Sequence, residues 1–560
     1  MQLRTRFAAA LLATAAFTAT PALAVPEGFA EDVDALLSAN FEADEPGVAV
    51  VVTEGGEVVY ANGIGMANIE QGEAIKPETV FRLGSITKQI ASAALLQLVA
   101  QGALSLDDPL SKFVPDYPEA GADVTVRQLL NHTSGISSYT SIPGWMNPAN
   151  LTRNFSTAEM IEVFRDRDMD FAPGDAWAYN NSGYILVGAV IEAVTGKPWD
   201  QVVVEQISVP LGTSTIASFA DEATTSDMAI GYTRTGEGEI QPAGGIHASV
   251  PAAAGALRGS VLDLATWGNA LHSGEVLSDK LYAQMIAPTV LNDGSENEYG
   301  LGLDRQDIRG REVIGHGGGI NGFNTDSIYL PDEDIFIAVF NNTDSPGMSA
   351  SGVTVRVAAM ALGDPFENFA AVPLDMDAVS PLLGEFRIND QETRKFYERD
   401  GKLYTLRTGR SESEVYPVGD DRFFYGSSSL TWFAITRDAD GDLQMEMHQN
   451  GASQPEVATW VGPVEAAPVV LIAPEVMATY AGSYTSEIGT LVLAVDEDGK
   501  LTAKLNSQPV LNLVAESQTE FAVQGVDASV RMVEEDGAIA AAVIGQGGQE
   551  MRLDRVQDTD

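Results

Sequence analysis

The sequence predicts an α/β domain, built from an antiparallel sheet and helices, followed by two small antiparallel β-barrel domains. Three observations carry that expectation. Strand-like runs stand at both ends of the first domain with apolar helical stretches between them, a proline-bearing break follows, and the chain beyond the break repeats itself at a fixed offset.

The first domain is bounded by two hairpin patterns. From Gly47, the run Val48 to Thr53, a turn at Gly55-Gly56 and Val58-Val59-Tyr60-Ala61 read as one. Asp326 to Leu330, the turn Pro331-Asp332-Glu333-Asp334 and Ile335 to Phe340 read as the other. Between them, Ala91 to Leu104 and Tyr184 to Val194 are apolar stretches ended by glycine-containing segments, which is the helical pattern. Pro365, Pro373 and Pro381 then mark the exit from this domain. Beyond it, Leu383-Gly384-Glu385-Phe386 matches Ala481-Gly482-Ser483-Tyr484, Asp400-Gly401-Lys402-Leu403 matches Asp498-Gly499-Lys500-Leu501, and Phe423 matches Phe521, all at the offset separating 384 from 482. Alternating segments joined by Asp-Gly turns are the mark of small all-β domains, which close into barrels. The expected domains are 25–370, 374–472 and 473–560.

Composition narrows the function. The 560 residues carry 32 Lys and Arg against 79 Asp and Glu, a net charge of −47. Such a surface repels phosphate backbones and anionic headgroups, so nucleic acid is excluded as a partner. With 45% hydrophobic and 20% charged residues the chain is an ordered globular protein. There is no cysteine, which excludes disulfides, thiolate metal sites and a Cys nucleophile. Arg4 and Arg6, the apolar run Phe7 to Phe17 and Ala22-Leu23-Ala24 form a signal-peptide pattern over residues 1–24. The mature protein is therefore expected in the periplasm or outside the cell, without membrane insertion. His132, His247, His272, His316 and His448 are scattered, so neither a metal site nor a cofactor is expected.

Three segments carry chemistry. Ser85 and Lys88 stand three apart at the entry to an apolar helix, within reach of each other as nucleophile and base, and a helix N-terminus favours a developing oxyanion. Tyr179 and Asn181 form a second pair, a phenol able to pass protons and an amide able to hold both a carbonyl and a lysine. The third segment is His316-Gly317-Gly318-Gly319, whose glycines let a substrate backbone approach a strand and whose Gly319 N–H supplies a second oxyanion donor. Gly317-x-Gly319-x-x-Gly322 fits a dinucleotide fingerprint but runs into a strand where a helix is required. No Gly-x-Ser-x-Gly elbow accompanies the His-Gly-Gly-Gly run, so an α/β-hydrolase is not expected. His132 reads as a structural hydrogen-bond partner in Leu129 to Ile136.

In that order and separation, Ser85-x-x-Lys88, Tyr179-x-Asn181 and His316-x-Gly318 resemble the serine β-lactamase and penicillin-binding-protein-like hydrolases, with Leu129 to Ile136 and Tyr299-Gly300-Leu301-Gly302 as further similar segments. The resemblance covers residues 30 to 360, and the appended β domains are similar to the three-domain layout of D-aminopeptidases in that group. It implies a β-lactamase/transpeptidase-like catalytic domain and acyl transfer through an ester on Ser85. Lys88 is then the base, Tyr179 the proton shuttle, Asn181 a substrate or lysine holder, and Ser85 and Gly319 the oxyanion donors. His316 and Gly318 line the substrate strand. Typical members carry Lys where His316 stands, and an unperturbed histidine titrates near about 6.5. The expectation is therefore a serine hydrolase of D-amino-acid amides, short D-peptides or small esters. β-Lactamase or D,D-carboxypeptidase activity is the alternative, and a non-catalytic envelope peptide-binding or regulatory protein is a reading of a different class. A small-molecule or peptide substrate is the expected partner, and the C-terminal β domains are candidates for homo-oligomer contacts.

Overall fold

The computed structural model describes residues 25–556 apart from 237, 427–428, 465–469, 487–488, 497–498, 507, 536 and 547–548. The expected signal peptide lies outside the described residues. Among them, no helix is long and apolar enough to cross a membrane. The chain divides between Pro365 and Phe366 into two compact units.

The main elements of the first unit are α1 (Phe29–Asn40), β1 (Val48–Glu54), β2 (Glu57–Ile64), α2 (Thr87–Ala100), α3 (Asn181–Thr195), α4 (Val261–His272), β3 (Asp304–Ile308), β4 (Arg311–Ile320), β5 (Phe323–Leu330), β6 (Ile335–Asn341) and α5 (Ala350–Ala361). The strands make one antiparallel sheet in the order β3-β4-β5-β6-β1-β2. The two expected hairpins are β1–β2 and β5–β6, and they meet: Val48 pairs with Asn341 and Val52 with Ile337. β5 begins three residues before the sequence pattern, because Phe323 to Thr325 pair with Gly318 to Ile320.

β1 and β6 are apolar without alternation because both faces are covered. Val48, Val50 and Val52 join Ile335, Ile337 and Val339 in a core with α1 and α5. Ala49 and Val51 join Phe336, Ala338 and Phe340 in the larger core containing α2, α3 and α4. A one-residue slip would exchange the two sets, so the register is pinned by both cores at once. Helix α2 is apolar on nearly every side and buried, as expected for a helix threaded through a core. It ends at Ala100, four residues short of the apolar run, because Gly102 at φ 74° turns the chain out of the helix.

The second unit holds two closed eight-stranded antiparallel barrels, spanning Gly384–Gly462 and Gly482–Arg555. First and last strands close each ring, Phe386 pairing with Trp460 and Tyr484 with Arg555. The repeated residues fall on corresponding interior positions: Phe386 and Tyr484, Leu403 and Leu501, Phe423 and Phe521 are all buried. Asp400 and Gly401 take positive φ (53° and 77°), as a two-residue hairpin turn demands, and Gly499 repeats the 77° value. Asp498 lies outside the described residues. Backbone bonds from Glu412 N to Gly525 O (2.7 Å) and Asp527 N to Arg410 O (2.9 Å) tie one barrel to the other.

Candidate active site

Gly84-Ser85-Ile86 form a single 3-10 turn that runs directly into α2. Ser85 lies in that turn and Lys88 in the first turn of α2, three residues on and on the same face, which brings Lys88 Nζ to 3.0 Å from Ser85 Oγ. The same nitrogen donates to Asn181 Oδ1 (2.9 Å) and to the carbonyl of Ala254 (2.8 Å). Lys88 is fully buried (0% exposed), and burial holds its amine well below the ordinary lysine value. A neutral amine has two N–H donors and one lone pair. In the structure Nζ donates to Ser85 Oγ as well as to the two carbonyls; once deprotonated it keeps two N–H donors for the carbonyls and turns its lone pair to the Ser85 hydroxyl proton.

The opposite wall comes from the entry to α3. Asn180 caps that helix through Gly183 N (2.9 Å), which makes Asn181 its first helical residue and turns its side chain toward Lys88. Asn181 Nδ2 donates to Thr140 Oγ1 (3.3 Å), which is bonded to Ser138 Oγ. The amide is thereby oriented with its oxygen on the lysine. Burial raises the Tyr179 phenol above its ordinary value, and the neighbouring Ser85 side chain offsets part of that. Its ring lies 4.7 Å from Lys88 Nζ, and 39% of the residue is open to solvent.

β4 forms the third wall. β3 pairs only as far as Gly315, so among the described residues no strand covers the outer edge of β4 from His316 to Ile320. A Cβ on Gly318 would meet Leu83 O at 2.1 Å, Thr325 Oγ1 at 2.4 Å and Ser85 N at 3.1 Å, whereas one on Gly319 would meet nothing within 4 Å. Gly318 therefore lets the strand lie against the nucleophile turn, and Gly319 faces open space. A Cβ on Gly84 would stand 2.9 Å from Gly319 N, which puts that amide beside the Ser85 turn.

His316 is buried and its ring centroid is 6.0 Å from that of Tyr179. Nδ1 sits 2.5 Å from Gly317 O and must carry the proton there, so Nε2 accepts from Tyr299 Oη at 2.9 Å. Burial pushes the ring down to about 3. His316 is neutral, and both of its nitrogens are committed inside the protein.

All seven residues expected from the sequence are thus gathered in one place. Two further groups were missed. The Ala254 carbonyl, an essential acceptor for Lys88, is a backbone atom 166 residues away and leaves no sequence signal. Tyr299 lay within a segment already noted, yet its hydroxyl contact to His316 exists only in three dimensions. His132 takes the structural role expected of it, accepting from Asn180 N at 3.1 Å.

The family model described as Beta-lactamase matches residues 29–361. The chain is 22% identical to penicillin-binding protein 4* of Bacillus subtilis over 437 residues, covering 73% of this chain and 94% of that protein. It is 29% identical to the D-aminopeptidase of Gluconobacter oxydans over 324 residues, 58% of this chain and 60% of the relative's length. Among solved structures it is similar to the D-stereospecific amidohydrolase from Streptomyces sp., with a TM-score of 0.50 and 27% identity over 62% of this chain and 100% of that one. A buried lysine on a helix-entry serine, inside a fold matched across most of the first unit, identifies this chain as a serine hydrolase belonging to the β-lactamase family.

Proposed function

We propose that the protein hydrolyses small amide or ester substrates through an acyl-enzyme on Ser85, with D-amino-acid amides and short D-peptides as the substrate class ahead of short esters. The observation that carries the chemistry is the fully buried Lys88 amine, 3.0 Å from Ser85 Oγ with two carbonyls occupying its donors. Ser85 Oγ attacks the substrate carbonyl carbon and its proton passes to Lys88 Nζ. The oxyanion is received by the backbone N–H groups of Ser85 and Gly319. Tyr179, kept protonated by its raised value, relays the proton from Lys88 to the leaving nitrogen or oxygen as that bond breaks. Water then attacks the ester carbonyl, gives its proton back through the same pair, and Ser85 leaves. Asn181 orients Lys88, and His316 and Gly318 form the strand against which the substrate lies.

The substrate class is supported by His316 and by the relatives. A neutral imidazole with both nitrogens engaged offers no cation for a substrate carboxylate, which disfavours penicillins and cephalosporins. The similarity to a D-aminopeptidase and a D-stereospecific amidohydrolase points the same way. On the same reading the protein works outside the cytoplasm, supported by the signal-like N-terminal sequence. Its barrels are the candidate surfaces for self-association.

The test is intact-protein mass and product release for the purified chain and a Ser85→Ala control with a fluorophosphonate, p-nitrophenyl butyrate, D-alanine p-nitroanilide and nitrocefin. Nitroaniline release and a fluorophosphonate adduct lost in the control are expected. Nitrocefin turnover faster than anilide turnover would overturn the substrate class, and an adduct persisting in Ser85→Ala would overturn the nucleophile.

A further inference from the structure

Residues 178 to 180 are held at two points by one residue. The backbone N–H of Ala178 donates to the carbonyl of His132 (3.0 Å), and the backbone N–H of Asn180 donates to His132 Nδ1 (3.1 Å). Tyr179 lies between these two anchored amides, and its ring packs on the His132 ring at a centroid distance of 4.5 Å. The arrangement needs an unusual backbone. His132 has φ 64°, in the left-handed region that non-glycine residues seldom occupy, and that conformation aims both its carbonyl and its ring at the same segment.

The far side of the imidazole is not used for hydrogen bonding. Nδ1 accepts an N–H, so the proton is on Nε2, and Nε2 is buried without a partner among the described residues. The ring is also packed against Tyr299 (4.7 Å), Tyr184 (5.4 Å) and Trp177 (6.0 Å). A residue kept merely to satisfy neighbouring polar groups would not leave one of its own unsatisfied in the core. What the imidazole contributes here is a flat, rigid spacer bearing one acceptor, wedged behind the phenol and beneath the cap of α3.

We infer that His132 is a positioning residue for the acylation step: it sets the height and tilt of the Tyr179 phenol over Ser85 and, through Asn180, the place of Asn181 beside Lys88. This rests on the proposed role of Tyr179. Three consecutive residues, 179 to 181, carry two functional side chains, so a single clamp on the segment fixes both. Errors of position in such groups are costly, because proton transfer falls off steeply with misalignment. The two substrates also separate this role from general folding. An anilide leaving group must be protonated as it departs, whereas nitrophenolate leaves without a proton, so a misplaced Tyr179 hurts the anilide more.

The experiment measures kcat and KM for wild type, His132→Asn, Tyr179→Phe and His132→Asn/Tyr179→Phe on D-alanine p-nitroanilide and p-nitrophenyl butyrate, with Tm for each. Asparagine tolerates the left-handed backbone and its side-chain oxygen can accept from Asn180 N, so the chain folds while the ring behind Tyr179 is lost. His132→Phe, which keeps a ring without the acceptor, is the second variant. The expected result for His132→Asn is a fall in kcat on the anilide of about 30-fold, a fall on the ester of about 3-fold, and KM within about 3-fold of wild type. In the Tyr179→Phe background the same change is expected to cost less than about 2-fold, since the residue being positioned no longer has its hydroxyl. A His132→Asn loss that multiplies with Tyr179→Phe, or that is equal on both substrates, overturns the proposal. So does wild-type kcat in both His132 variants while Tyr179→Phe is impaired. Wild-type kcat in Tyr179→Phe itself overturns the reading of Tyr179, and the positioning role falls with it.

Discussion

Lys88 Nζ is held 3.0 Å from Ser85 Oγ by two acceptors far apart in the chain, Asn181 Oδ1 at 2.9 Å and Ala254 O at 2.8 Å. Burial lowers the proton affinity of this amine, and in its deprotonated form two N–H donors serve the carbonyls while the lone pair is free to take the Ser85 proton. Lys88→Arg inserts a permanent cation in the same place. The expected outcome is a fall in kcat/KM of about 1,000-fold, within the range for loss of a general base. Steady-state kinetics on p-nitrophenyl butyrate checks it, with wild-type retention showing that another group is the base.

The same lysine gives a stability signature. Its value in the folded protein is depressed below the 10.5 of a free lysine, so the unfolded chain binds the extra proton in the interval between them. Stability therefore rises with pH up to about 10.5 from this group. Lys88→Met is expected to flatten that slope, and urea unfolding across pH 7 to 10 reads the difference.

His316 follows the same sign in a lower window. Its ring is pushed down from 6.5 to about 3, so its contribution is present above pH 6.5 and lost as pH falls toward 3. Two consequences are expected. No inflection near 6.5 in kcat/KM belongs to this residue, and His316→Gln shows a shallower loss of stability on acidification. His316→Lys restores a cation at the substrate strand and is expected to raise nitrocefin turnover by about 10-fold or more. Its stability falls, because Tyr299 loses the acceptor for its hydroxyl. Unchanged nitrocefin kinetics in that variant would separate carboxylate recognition from this position.

Adjacent glycines should answer differently. Gly318→Ala drives a methyl into Leu83 O and Thr325 Oγ1, at 2.1 and 2.4 Å, and the expected cost is about 2 kcal/mol of stability with acylation impaired, since Ser85 N is the third neighbour. Gly319→Ala meets open space. It is expected to leave Tm within about 1 °C while raising KM for bulky substrates. Thermal melts and a comparison of small and bulky esters test the pair.

Asp326 is a buried carboxyl behind the substrate strand, paired in register with Gly317, facing Thr354 and repelled by Asp304. Burial raises it from 3.8 to about 7. A raised carboxyl contributes stability fully below pH 3.8 and loses it as pH climbs through 7. Asp326→Asn is thus expected to be more stable than wild type at pH 8.5 and closer to it at pH 5, as read by paired denaturation curves.

How much of this was legible in advance follows from the range of each interaction. Ser85 and Lys88 are three apart at one helix entry, so their meeting is local; the spacing allowed it, and the two other motifs were needed to set it apart from a helix cap beside a surface lysine. The strand runs of β1 and β6 were legible because burial of both faces leaves short unbroken apolar runs, and the repeat joining Phe423 to Phe521 because matching interior positions recur at one offset. Tyr179 and His316 were named from the chemistry of their own segments, but only the order and separation of all three motifs joined them to Ser85, since nothing within either segment points to it. The tertiary structure alone decided that the two hairpins pair through Val48 and Asn341, that Ala254 lends its carbonyl to Lys88, and that His132 takes a left-handed backbone to hold Tyr179. These are contacts between residues dozens to hundreds apart, many through backbone atoms that every residue possesses. Their identity is set by how two cores close around one sheet. The sequence by itself determined the fold class, and its three motifs taken together carried the resemblance that implies Ser85 as nucleophile and Lys88 as base. The lowered proton affinity of Lys88 and of His316 was decided by burial, which exists only once the chain has folded.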